Sequence, residues 1–86
     1  MTLRSRYQRT LERIFARPTA SDIRWAEVIS LMRALDVEIS EGSGSRVRFR
    51  RDTISAIVHR RHPRPVLSQP AVRTVANFFN DIGVSP

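Results

Sequence analysis

Residues 42–65 read GSGSRVRFRRDTISAIVHRRHPRP, and their periodicity decides the fold. Val47 and Phe49 alternate with Arg46, Arg48 and Arg50. Period-two alternation marks a half-buried strand with one apolar and one polar face. Here the polar face is a row of guanidinium groups. Arg51-Asp52 supplies a turn. Thr53 to His59 is rich in β-branched residues and reads as the next strand. Its better apolar parity is Ile54, Ala56 and Val58, which puts Thr53, Ser55, Ile57 and His59 on the face of the arginines. Pro63 and Pro65 then stop regular structure. The stretch is a hairpin with an arginine-lined face and a histidine at its far end. Its sole acidic residue is Asp52. A positive surface beside a titratable imidazole points to chemistry on a phosphodiester. The competing reading is a solvated strand face with a loop histidine.

Outward from the hairpin, Val37-Glu38-Ile39-Ser40 alternates as a brief strand. Glu41-Gly42-Ser43-Gly44 is a turn, its two glycines giving positive φ cheaply. Before that strand, Trp25, Val28, Ile29, Met32 and Leu35 recur every three or four residues, the stripe of an amphipathic helix over 24–36. Glu27 in its first turn and Arg33 in its last suit the helix dipole. Trp25 lies on the stripe and reads as a core anchor before a base-stacking platform. A first helix over 2–17 carries Leu3, Tyr7, Leu11, Ile14 and Phe15, with Thr2 as N-cap and Pro18 closing it. After the hairpin, Val72, Val75, Ala76, Phe79 and Ile82 mark a helix over 68–82. Ser68 is its N-cap, Pro70 sits in its first turn and Gly83 ends it. Strands are expected at 37–40, 45–50 and 53–59.

The order is helix, helix, three antiparallel strands, helix. Three short strands need cover on one face. The expected fold class is therefore α+β, a two-layer sandwich whose three-stranded antiparallel sheet packs on helices and leaves one face open. The 86 residues suffice for one domain with a modest core, not for a deep cavity.

Fifteen basic residues, all arginine, against eight acidic ones give a net charge of +7. Such a balance points to a polyanionic partner, nucleic acid before membrane. Arginine also suits planar, bidentate phosphate contacts. No apolar run approaches the ~20 residues of a membrane span, and Met1 to Arg17 has no secretory-leader pattern. The chain has no cysteine, which excludes a disulfide framework and a thiolate metal site. A cytoplasmic location is the expectation.

The ordered segments WAEVISLMRALDVEIS (25–40), GSGSRVRF (42–49), AIVHRRHP (56–63) and the helix end NFFNDIGV (77–84) resemble the HicA family of bacterial toxins. That family consists of small mRNA interferases with a double-stranded-RNA-binding-domain-like fold. The resemblance implies a HicA-like α-β-β-β-α domain over 24–86, with residues 1–23 an N-terminal helical extension and connector. It also implies RNA as substrate and neutralisation by a HicB-like antitoxin. Where the second strand begins, the family has Gly-Ser-His, and that histidine is considered catalytic. The matching residues here are Gly44, Ser45 and Arg46, and a guanidinium cannot serve as a base near neutral pH. The histidine closing the third strand is present as His59.

The residue types restrict the chemistry further. Two histidines three residues apart, without cysteine or a carboxylate cluster, do not make a zinc site, and scattered acids do not suit Mg²⁺. No cofactor is expected. What is left is metal-free RNA cleavage by the 2′-hydroxyl, for which a protein supplies a base, an acid and positive charge. His59 is the candidate base. Arg46 is the candidate phosphate clamp, and His62 a secondary candidate acid. Gly44, Ser45, Arg48, Arg50, Arg60 and Arg61 complete the expected RNA-contacting set. Two alternatives stay open: a non-catalytic RNA-binding module, and a regulatory partner that binds a protein through the open sheet face.

Overall fold

The computed structural model describes residues 3–61 and 64–86. Three helices, α1 (Ser5–Ile14), α2 (Trp25–Ala34) and α3 (Gln69–Asp81), accompany one antiparallel sheet of β1 (Glu38–Glu41), β2 (Arg46–Arg51) and β3 (Ile54–His59) in that spatial order. The protein has the expected α+β class and element order. The assignment of Thr2 as N-cap lies outside the described residues.

Element ends differ from expectation for local reasons. The first helix stops at Ile14, not Arg17, because Pro18 has no N–H to offer the Ile14 carbonyl. The second helix ends in a Schellman arrangement: Asp36 takes φ 56°, and Val37 N–H donates to Met32 O at 2.9 Å. The hairpin turn is Asp52-Thr53 rather than Arg51-Asp52, since Arg51 pairs with Ile54. Asp52 adopts φ 55°, a conformation that a short polar side chain tolerates better than arginine does. As expected, Ser68 caps α3, its Oγ accepting from Ala71 N–H at 3.3 Å, and Gly83 follows the helix at φ 79°.

The strand parity is the one read from the sequence. Val47, Phe49 and Val58 are buried, while Arg46, Arg48, Arg50, Ser55, Ile57 and His59 are exposed. The covered sheet face meets Trp25, Val28, Leu31 and Met32 of α2 and Ala71, Val72, Val75, Phe78 and Phe79 of α3 in one core cluster. Phe49 and Phe78 anchor it with ring centroids 6.5 Å apart. α1 packs on α2 and α3. It contributes Leu11 and Ile14 to the same core, and Phe15 just beyond it stacks on Phe79.

Two chain segments distant in sequence are stitched together behind the sheet end. Arg24 bridges Val66, Trp25 N–H donates to Pro65 O at 2.9 Å, and Leu67 N–H donates to Ile23 O at 2.9 Å. Ile23 and Leu67 are fully buried by this pairing. It fixes the entry of α2 against the entry of α3, beside the end of β3. Among the described residues no helix is long and apolar enough to cross a membrane.

Candidate nucleic-acid interface

The open sheet face is built on β2. Successive residues of a strand point to opposite faces, so Arg46, Arg48 and Arg50 share one side at intervals of about 7 Å. On one flank they stand opposite His59, Ile57 and Ser55 of β3; on the other, Arg48 faces Ser40 and Arg50 faces Glu38 of β1. Glu38 is the one acidic residue in register with the row. Among the described residues the one ion pair is Arg13–Asp22, which involves no residue of the sheet. The guanidinium groups of the sheet are thus left without carboxylate partners. Arg50 Nε donates to the Asp52 carbonyl at 3.0 Å and so leans toward the hairpin tip.

Arg46 and His59 are direct cross-strand partners. Arg60 N–H donates to Ser45 O at 2.7 Å, which makes Arg46–His59 a non-hydrogen-bonded pair. In such pairs the Cα atoms approach to about 4.5 Å and the side chains lie closest. Both side chains are exposed. Gly44 and Ser45 lead directly into this pair. Gly44 has φ 69°, which a residue with a Cβ would adopt only under strain.

The remaining predicted residues are dispersed. Arg60 is half-buried, its guanidinium 5.4 Å from the centroid of the Trp25 ring. This is a cation–π contact, and it holds the side chain at the back of the sheet end rather than on its open face. Arg61 is exposed and lines a cleft next to His59. His62 lies outside the described residues. Among the described residues no three His, Asp or Glu side chains group so as to hold a metal ion.

Ile57 is 53% exposed, the one large apolar side chain so exposed among the described residues. It stands directly opposite Arg48 in the middle of the basic face. The cleft beside His59 also contains Arg64, Ser21 and Ser68; the sequence marked Ser68 only as the α3 N-cap and gave Arg64 and Ser21 no place in the site. Arg64 could have been found as the last member of the basic run. Ser21 left no signal, since only the long-range pairing of 23–25 with 65–67 brings it there.

The family model described as the HicA toxin of bacterial toxin–antitoxin systems matches residues 25–84. No curated protein and no solved structure matches the chain. The match spans α2, the whole sheet and α3, and therefore both strands that carry the Arg46–His59 pair. With well over half of its residues covered, the chain belongs to the HicA family of bacterial toxin–antitoxin toxins.

Proposed function

We propose that this chain is the toxin of a bacterial toxin–antitoxin pair and acts as a metal-independent endoribonuclease on mRNA. The reading rests on the direct opposition of Arg46 and His59 on an exposed basic sheet face. Arg46, Arg48 and Arg50 bind backbone phosphates, and Gly44 and Ser45 allow the RNA close to the turn. His59 takes the proton from a ribose 2′-hydroxyl. O2′ then attacks the adjacent phosphorus, the P–O5′ bond breaks, and the leaving 5′-oxygen takes a proton from His62 or from water. The products are a 2′,3′-cyclic phosphate and a free 5′-hydroxyl. Arg46, next to the attacked phosphate, offsets the charge that builds on its oxygens.

The cognate antitoxin is a HicB-like protein that covers the same face. Two features support this: an acidic partner complements the unpaired arginines, and Ile57 offers an apolar anchor at their centre.

The test is cleavage of RNA by purified protein in EDTA, with analysis of the product ends. The reading expects cyclic phosphate ends from the parent and their loss in His59→Ala. A second reading is favoured by one specific residue. Arg46 stands where the family carries histidine, and a chain that has lost its base there would bind RNA without cutting it. RNA binding by the parent without cleavage would select that reading.

A further inference from the structure

A cleft of about 240 Å³ opens beside His59, at the end of the open sheet face. Arg61, Arg64, His59, Ser21 and Ser68 line it, and no carboxylate does. Both arginines are exposed, and Arg64 N–H donates to Arg61 O at 3.1 Å, which keeps them together. The walls are fixed by backbone pairing: Trp25 N–H to Pro65 O and Leu67 N–H to Ile23 O, each 2.9 Å. Gln69 Nε2 adds a bond to Thr19 O at 2.8 Å. A site held by such bonds needs little rearrangement to receive a ligand.

The formal charge in the cleft is that of the Arg61 and Arg64 side chains. Pro70 has no N–H, and the Ala71 N–H is already bound by Ser68 Oγ. Ser68 accepts in that bond, so its own hydroxyl proton remains free to donate. The cleft is smaller than the roughly 300–1,000 Å³ that encloses a drug-sized ligand. It suits one small anionic group with the rest of the molecule outside. His59 belongs to both the cleft lining and the open sheet face, so one strand of RNA can lie along the β2 arginines and end in the cleft.

We propose that Arg61, Arg64 and Ser68 form a phosphate subsite that holds the RNA phosphate flanking the one placed between Arg46 and His59. This inference rests on the RNA-binding reading of the sheet face. Its role is to set the strand's position, so that a defined 2′-hydroxyl meets His59.

The experiment measures fluorescence anisotropy of labelled trinucleotides, fully 2′-O-methylated to prevent cleavage, at constant ionic strength. Three probes are compared: no terminal phosphate, a 5′-phosphate and a 3′-phosphate. One phosphorylated form should bind the parent roughly fivefold more tightly than the unphosphorylated probe, as two solvent-exposed ion contacts supply. The double variant Arg61→Gln/Arg64→Gln should lose that gain, while Arg48→Gln should weaken all three probes by a common factor. The substituted residues are exposed, so the fold is retained. A gain that persists in the double variant, or no gain in the parent, overturns the subsite while leaving the sheet-face reading intact. Failure of the parent to bind any probe overturns both.

Discussion

Arg46 and His59 stand directly opposite each other as a non-hydrogen-bonded pair at the end of the sheet, with both side chains in solvent. A permanent cation thus stands in register with the one imidazole among the described residues. In the proposed mechanism the division of labour is fixed: Arg46 holds charge and His59 moves the proton. Replacing Arg46 with Ala should therefore lower cleavage by roughly 10²-fold, the loss usual for one charge-stabilising donor. Arg46→His should raise cleavage by placing a second imidazole opposite the first. Initial rates on a single RNA substrate check both.

RNA affinity should fall steeply with salt, because each phosphate contact releases counterions. Single Arg→Gln changes at 46, 48 and 50 should each reduce the slope of log K against log salt by roughly one contact. Arg60→Gln should change it less, since Arg60 lies over the Trp25 ring. Filter binding across a salt series distinguishes these. A triple variant with an unchanged slope would move the interface off the sheet.

Ile57 should matter to a protein partner and little to RNA. Its side chain is uncharged and 53% exposed among the arginines. Ile57→Ser should weaken the complex with the antitoxin about tenfold or more, as removal of a central apolar anchor does. The salt dependence of RNA binding should not move. Calorimetry of the parent and of Ile57→Ser against the antitoxin checks this.

The first helix lies outside the family match but inside the core. Leu11 and Ile14 are almost fully buried against the other two helices. Leu11→Ala should cost about 2–5 kcal/mol in stability, the range for large-to-small core changes. An N-terminal helix that merely decorates the domain would make the change nearly neutral, so chemical denaturation decides the matter.

Most of the fold could be read from periodicity. The alternation of Val47 and Phe49 with arginines gave the correct face of β2, and Ile54, Ala56 and Val58 gave that of β3. Ser68 and Gly83 marked the ends of α3 because each has one dominant physical use. What stayed hidden came from long-range pairing. Ile23 and Leu67 are buried core residues on no helical stripe. They are covered because their backbones pair across more than forty positions, and pairing of that kind leaves no local pattern. The same pairing builds the cleft beside His59 and brings Ser21 to it. Asp36 closed α2 at a φ more usual for glycine, so no glycine signalled the end. Arg60 counted with the basic run in the sequence, yet a ring 35 positions away draws it to the back of the sheet end.

The most direct test of the central claim is the product analysis of RNA incubated with parent and His59→Ala protein in EDTA. The account predicts 2′,3′-cyclic phosphate and 5′-hydroxyl ends from the parent. It predicts a rate at least roughly 10²-fold lower in the variant, as loss of a general base implies, with RNA affinity retained. Equal rates from the two proteins, or cleavage by the parent that EDTA abolishes, would contradict it.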